Sequence, residues 1–397
     1  MEKRQLRGLE IAKQKQVRKS EEGWLVKSQS SEGFYRVSED FNCTCPDCQG
    51  RKVTCKHAYA VRYYLQAENE QGKVIHKQRL TYKQAWNAYT SAQTQEIRLF
   101  DELLKDLVAG FKEGEGQQGR GRPKTPLNEA LFCSIQKVYS QLSSRRAASL
   151  YFNASEKHQI RKPPNYNVIN VFLNKPEITP ILQELIAITA SPLKAVETDF
   201  AVDSTGFRTK CFGQYAEEKY DLKREHKWLK AHACVGVKTN VVTSIEVLPE
   251  HSADVSQLPV LVERTANGGF TVKEVSADKA YSSRANLEAV ASVGGVAYIP
   301  FKSSATGQAR GSLLWKKAYH FFKLNQDEFY EHYHKRSNVE TTFGAIKKKF
   351  GDTLKAKNHT AQVNELLCKV IAYNITVLIQ EMHELGIKPD FVEAKVF

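Results

Sequence analysis

The chain has 397 residues, a net charge of +14 and a pI near 9.2. This length suits two or three domains, and the charge favours an anionic partner, most often nucleic acid, over a merely basic soluble protein. With no uninterrupted apolar run of about 18 residues and no signal-peptide core, the sequence predicts a cytoplasmic protein without membrane segments.

The N-terminal region predicts a small metal-binding module. Residues 1–21 read as a basic lead-in, and two strand-like runs between 24 and 41 predict a hairpin. Four of the eight cysteines then fall within residues 43–55, which in a reducing compartment favours a metal site over disulfides. A helical pattern at 58–66 ends the module, which we place at 22–66.

The zinc candidates are the pairs Cys43-x-Cys45 and Cys55-x-His57. Three thiolates and one imidazole suit a closed tetrahedral zinc site, although four unrelated loop residues are the alternative. Cys48 is either a bystander or a replacement ligand. The spacing resembles the SWIM zinc-finger family, which implies one Zn²⁺ per chain and contact with DNA or protein.

The middle of the chain predicts helices on either side of a linker. A helical segment spans 67–111, and 112–126 is rich in Gly, Pro and charge. Arg120 and Arg122 in this linker resemble an AT-hook core that enters the minor groove, with a plain basic linker as the alternative. Residues 127–192 predict an all-helical DNA-binding unit, for which a helix-turn-helix is one candidate arrangement. Arg145 and Arg146 in this unit either contact phosphate or are solvated.

From residue 193 onward the pattern changes to strands. Three strand-like runs between 195 and 248 are followed by a strand, a helix and a strand up to 301, and then by helices. This order predicts an α/β domain at 193–385 with a short tail at 386–397. Asp203 ends the first run before the turn-like Ser204–Gly206, and Asp278 ends the fourth run. Each aspartate is either a working carboxylate at a strand end or an ordinary cap of a turn or helix.

The segment 333–350, YHKRSNVETTFGAIKKKF, predicts one amphipathic helix. At about 100° per residue, Val339, Phe343, Ile346 and Phe350 form one apolar stripe, and Tyr333, Arg336, Glu340 and Lys347 form a polar stripe beside it. Lys348 and Lys349 fall elsewhere on the wheel and are expected to be solvated. A solvated charged face is the alternative for the polar stripe. Two strand-end aspartates and this glutamate would suit Mg²⁺ or Mn²⁺.

The pattern Tyr333-x2-Arg336-x3-Glu340-x6-Lys347 resembles the signature of insertion-sequence DDE transposases, and DSTGF (203–207) and ADKAY (277–281) resemble the surroundings of that family's two aspartates. The resemblance implies an RNase H-like core, a mixed sheet flanked by helices, preceded by the zinc module and the helical region. It also implies that Asp203, Asp278 and Glu340 bind two Mg²⁺ ions and that Tyr333, Arg336 and Lys347 contact DNA.

The implied activity is strand cleavage and strand transfer at the terminal inverted repeats of a mobile element. The implied partners are double-stranded DNA, at the element ends and the target, and a second copy of the chain in a homodimer. The implied location is the nucleoid of a prokaryotic cytoplasm. Two alternatives stay open: a transposase-derived regulator that binds without cutting, and a metal-dependent nuclease that does not join strands. Only 62 residues separate Asp278 from Glu340, so a large insertion domain is not expected between them.

Overall fold

The computed structural model describes residues 3–14, 16–20, 23–29, 33–38, 40–51, 54–64, 85–111, 124–209 and 228–391. The chain divides into two compact units, Met1–Arg79 and Leu80–Phe397. Arg120 and Arg122 of the predicted AT-hook lie outside the described residues. The finer domain boundaries drawn from the sequence remain predictions.

The first unit is a small sheet with short helices. Helix α1 (Lys3–Lys13) precedes strands β1 (Val17–Ser20), β2 (Gly23–Lys27) and β3 (Phe34–Val37), and helices α2 (Pro46–Arg51) and α3 (56–64) follow. The three strands are antiparallel in the order β1-β2-β3. The predicted hairpin is therefore present as β2–β3, and part of the predicted lead-in adds a third strand. Three residues of this sheet, Val17, Val26 and Val37, are buried together with the zinc-candidate cysteines.

The second unit begins with five helices: α4 (Trp86–Val108), α5 (Leu127–Tyr139), α6 (Ser144–Glu156), α7 (Tyr166–Leu173) and α8 (Ile178–Ala190). Their buried side chains belong to the same hydrophobic cluster as those of the following sheet. The predicted helical region is therefore confirmed as helical but shares its core with the sheet that follows. Ile97, which the helical spacing places on the apolar face of α4, is 70% exposed.

A five-stranded mixed sheet follows, formed by β4 (Asp199–Arg208), β5 (Trp228–Gly236), β6 (Val242–Pro249), β7 (Glu274–Ala277) and β8 (Val296–Tyr298). The strand order is β6-β5-β4-β7-β8. Strands β4, β5 and β6 form an antiparallel meander, and β7 and β8 are parallel to β4. This arrangement confirms the predicted RNase H-like class, with the parallel strands joined by helical crossovers.

Six more helices surround the sheet: α9 (Gln257–Asn267), α10 (Arg284–Ser292), α11 (Leu313–Leu324), α12 (Gln326–Tyr333), α13 (Ser337–Phe350) and α14 (His359–Glu384). The segment predicted as one helix from 333 is thus two helices joined by a 3₁₀ turn at His334–Arg336. The predicted apolar stripe on α13 is buried, and Val339 and Ile346 are fully so. Lys349 donates a hydrogen bond to Glu96 at 2.8 Å, so the expectation that it is solvated is wrong.

Helix α14 is the only described helix long and apolar enough to cross a membrane, yet 94% of its apolar window is buried inside the fold. A helix that is hydrophobic all round needs partners on every side. It contacts α4, α5, α7, α8, α13 and strand β6. Its length and apolarity are therefore explained by a central position in the core.

Candidate active site and zinc site

Two aspartates lie side by side where β4 and β7 stop pairing. The parallel register ends with Val202 opposite Ala277, and the next residues are Asp203 and Asp278. Adjacent strands are about 4.8 Å apart, so the two residues are neighbours at the carboxyl end of β7. Asp278 also accepts a hydrogen bond from the backbone N–H of Lys279 at 2.7 Å, as a helix cap does.

Strand β4 continues past Asp203 instead of turning. Its antiparallel pairing with β5 runs on from Ser204 to Arg208, so the predicted turn at Ser204–Gly206 is wrong. The composition of this run favours a turn. A Ser-Thr-Gly run can nevertheless form a strand when a neighbouring strand, here β5, satisfies its backbone hydrogen bonds. Asp203 therefore lies in mid-strand, at the point where β4 loses one of its two neighbours.

Glu340 reaches this strand end through Arg336. The guanidinium donates to Asp203 Oδ2 with Nη1 and to Glu340 Oε1 with Nη2, the latter at 2.6 Å. Both Arg336 and Asp203 are about one-fifth exposed, whereas the Glu340 side chain is 56% exposed. Sequence analysis placed Arg336 on DNA, but in this structure it joins two of the three predicted metal ligands.

The environment of Asp203 favours a cation. Burial raises the pKa of its carboxyl group, and the nearby charges of Asp278 and Glu340 raise it further, against the opposing effects of the Ser204 N–H and Arg336. Three mutually repelling carboxylates match the donor set that Mg²⁺ or Mn²⁺ prefers. In the described part of the chain they do not form a group compact enough to share one ion. The donor chemistry fits the metal, while Arg336 supplies the compensating positive charge in this structure.

The other members of the polar stripe lie close to the same strand. Lys347 donates from Nζ to Thr205 Oγ1 at 2.7 Å, and the same nitrogen is 5.2 Å from the centre of the Phe207 ring. Burial lowers the pKa of Lys347. Tyr333 is half-buried, with its ring 6.0 Å from the Arg336 guanidinium carbon. Both side chains therefore flank the carboxylates.

The two helical-unit arginines are on a solvent-facing part of α6. Arg145 and Arg146 are both exposed, and the guanidinium carbon of Arg145 is 5.7 Å from the Tyr166 ring centre. Their proposed phosphate contacts remain predictions.

Behind Asp203, on the opposite face of the sheet, is a polar network that sequence analysis missed. His232 is fully buried, pairs with Ser204 in the β4–β5 register and shares a 3.1 Å hydrogen bond through Nδ1 with the Tyr281 hydroxyl. Its Nε2 is 3.7 Å from Asp254. Burial lowers the pKa of His232 to about 4, so the ring is neutral near pH 7. The sequence offered one signal for this network, a histidine within the predicted second strand, but its pairing with Ser204 is visible only in the structure.

A second ionic cluster fixes the 3₁₀ turn that carries Arg336. Lys335 donates from Nζ to Asp199 at 2.7 Å and to Glu274 at 2.5 Å, and His332 Nδ1 is 2.8 Å from Glu274. Asp199 and Glu274 are register partners at the start of the β4–β7 pair. Lys335 and Arg336 thus bind the two ends of this short pair, which fixes the turn across it.

The zinc candidates of the first unit come together as predicted. The ligand atoms of Cys43, Cys45, Cys55 and His57 all lie within 4.8 Å of one another, and all four residues are buried. His57 Nδ1 is 3.8 Å from the Cys43 sulfur and 3.9 Å from the Cys55 sulfur. Tetrahedral zinc bonds would place such atoms about 3.6 Å apart. The cluster therefore has the composition and spacing of a structural zinc site.

The thiols are already polarised by one another. Hydrogen bonding with Cys43 lowers the pKa of Cys55 to about 3, and hydrogen bonding with Cys55 together with burial raises the pKa of Cys43. Cys48 is half-buried on α2 and is not in the ligand group. Short elements on either side supply the ligands: Cys43 pairs with β3 in an isolated bridge, and His57 lies in the first turn of α3.

Comparison with protein families gives two matches. Residues 37–66 match the SWIM zinc finger, and residues 194–375 match the transposase DDE domain. No solved structure matches the chain. The first match spans all four zinc candidates, and the second spans Asp203, Asp278 and Glu340. The mixed sheet, the Cys/His cluster and the two matches agree: the chain carries a transposase DDE domain at residues 194–375 and an N-terminal SWIM zinc finger at residues 37–66.

Proposed function

We propose that this protein cleaves and rejoins DNA strands at the terminal inverted repeats of an insertion sequence, using Asp203, Asp278 and Glu340. The observation that supports this most directly is the register of the sheet, in which Asp203 and Asp278 are neighbours. Hydrogen bonds from Arg336 to Asp203 and to Glu340 bring the third carboxylate to the same place. Two Mg²⁺ ions bound by these carboxylates would activate a water or a 3′-hydroxyl and stabilise the leaving oxygen at a phosphodiester.

The remaining side chains have roles that follow from their charge and position. We propose that Arg336 leaves the carboxylates when divalent ions bind and that its guanidinium then pairs with a DNA phosphate, for which its planar fork is suited. Lys347 and Tyr333 flank the same strand and would hold the neighbouring backbone. The net charge of +14 supplies long-range attraction to DNA.

The first test is cleavage by purified protein of a duplex that carries the terminal repeats of its own element, with target plasmid and Mg²⁺ present. Cleavage followed by a joined product supports the proposal. Cleavage without joining would favour a nuclease, and binding without cleavage would favour a regulator.

The second test separates catalysis from binding. Glu340→Ala should lower cleavage by more than about a hundredfold, because a metal ligand is lost, and should leave DNA binding largely intact. Glu331→Ala is the matched control, since Glu331 is an exposed glutamate on the adjacent helix α12. Equal loss of cleavage and of binding in Glu340→Ala would show that Glu340 is structural.

A further inference from the structure

A cavity of about 500 Å³ lies in the second unit, and its lining does not include Asp203, Asp278 or Glu340. Its walls come from the end of α5, the start of α6, the end of α7, the loop after α13 and the first turns of α14. This volume is within the range of small-molecule sites. Nothing in the proposed cleavage reaction uses it.

The charge in the cavity is strongly positive. Four lysines and a single acidic residue, Glu365, line it; the lysines are Lys137, Lys355, Lys357 and Lys369. The Glu365 carboxylate is already used, because it accepts backbone hydrogen bonds from Lys355 at 3.0 Å and from Ala356 at 2.8 Å. Glu365 therefore fixes the lysine-bearing loop. Three of the lysines donate hydrogen bonds to neutral oxygens, Lys137 to Asn170, Lys355 to Gln141 and Lys369 to Gly351 and Thr353, so these contacts hold the ammonium groups without neutralising their charge.

Two helix N-termini open onto the same space. Ser143 is the N-cap of α6 and Asn358 is the N-cap of α14, and both line the cavity. Neither side chain makes a capping hydrogen bond, and neither helix has an acidic residue in its first turn. The first N–H groups of a helix lack helical acceptors and attract anions. Two such ends beside four lysines favour a group with more than one negative charge.

The cavity wall combines hydrogen-bond donors with apolar side chains. Lys137 donates to Asn170 Oδ1 at 2.9 Å, and the Ser144 hydroxyl contacts the same oxygen at 2.8 Å. Burial lowers the pKa of Lys137. Leu142, Leu173 and Phe350 supply the apolar part of the wall. A phosphate against the lysines and a planar base against the apolar wall would use both parts.

We propose that this cavity binds a nucleoside monophosphate unit, either as a free nucleotide or as the terminal nucleotide of a DNA strand. The two sources present the same phosphate, sugar and base. The three carboxylates do not line this cavity, so the proposal does not depend on their role in cleavage.

The test is binding of deoxyadenosine 5′-monophosphate to the full-length protein, measured by calorimetry, with inorganic phosphate and deoxyadenosine as partial ligands. The nucleotide should bind more tightly than either part. Lys357→Glu should weaken binding at least about tenfold, because an attractive charge becomes repulsive. Lys357 is exposed just before the α14 N-cap, so the variant should fold. Lys137→Met, which keeps the packing, should weaken binding as well.

Lys348→Glu is the matched control, since Lys348 is exposed on α13 and does not line the cavity. Competition by a short 5′-phosphorylated single strand would identify a strand end as the source, and its failure to compete would identify the free nucleotide. Equal nucleotide affinity in wild type and Lys357→Glu would overturn the proposal. So would the absence of nucleotide binding, or phosphate binding as tightly as the nucleotide. Binding should persist in Glu340→Gln even if cleavage is lost.

Discussion

Arg336 offers the sharpest test of the site, because one guanidinium compensates carboxylates that are also proposed to bind metal. Removing one partner of a fully buried ion pair costs about 3–5 kcal/mol, whereas an exposed pair four residues apart on a helix contributes about 0.3–0.5 kcal/mol. The Arg336–Asp203 pair is about one-fifth exposed and the Arg336–Glu340 pair is more exposed. We therefore expect Arg336→Gln to destabilise the metal-free protein by about 1–2 kcal/mol.

The assay is thermal unfolding with and without Mg²⁺. For a unit of about 300 residues, the unfolding entropy of about 2 cal/mol/K per residue converts that loss to a fall in Tm of about 2–3 °C. Added Mg²⁺ should raise the Tm of Arg336→Gln more than that of wild type, because in the wild type the ion must displace the guanidinium. Lys348→Gln removes a positive charge from the same helix region and should change neither value.

An unchanged Tm without Mg²⁺, together with the same Mg²⁺-dependent rise in both proteins, would refute the reasoning. It would mean that Arg336 and the ion do not compete for the same carboxylates.

Three further predictions concern groups outside the carboxylate cluster. Burial raises the pKa of Glu381 from 4.5 to about 7, so this group contributes stability below about pH 4.5 that is lost as the pH rises through 7. Glu381→Gln should therefore be more stable than wild type at pH 8, by about 1–3 kcal/mol, and a Tm difference that does not shrink toward pH 4 would contradict this. Tyr281→Phe removes the hydroxyl that is hydrogen-bonded to buried His232, which should lower the free energy of unfolding by about 1–3 kcal/mol and raise the Mg²⁺ concentration needed for cleavage. An unchanged Mg²⁺ dependence would show that Tyr281 contributes only to stability. Cys45→Ser should lower the zinc content, measured by elemental analysis, from about one ion per chain to near zero. The first unit should then unfold while the second unit keeps its thermal transition, whereas retained zinc would show that Cys45 is not a ligand.

Much of the site followed from the sequence because its residues obey local rules. Asp278 ends a β-branched run, and the zinc ligands come in two short pairs. The apolar stripe on α13 follows the helical period, and the structure buries it. Each of these features is fixed within about a dozen residues, which is the range over which spacing and alternation are informative.

The rest depends on contacts between distant segments. Ser204–Gly206 has the composition of a turn, but pairing with β5 holds it as strand. The link between Arg336 and Asp203 joins residues 133 positions apart. Tyr281 and His232 are 49 positions apart and meet because β5 and β7 are the two neighbours of β4 in the sheet. No local pattern contains such information, so the sequence predicted a role for Arg336 without its partners and gave no signal for the contact between Tyr281 and His232.

The position of α14 has a consequence for synthesis of the protein. This helix is made after the other described helices and strands, yet it contacts α4, α5, α7 and α8 from the early part of the second unit. At about 5–20 residues per second, roughly 270 residues separate the start of α4 from that of α14, so the early helices wait about 15–55 s for their partner. During translation they would expose apolar surface and depend on chaperones. A premature stop before α14 should therefore give aggregated chain, because the early helices would lack their buried partner.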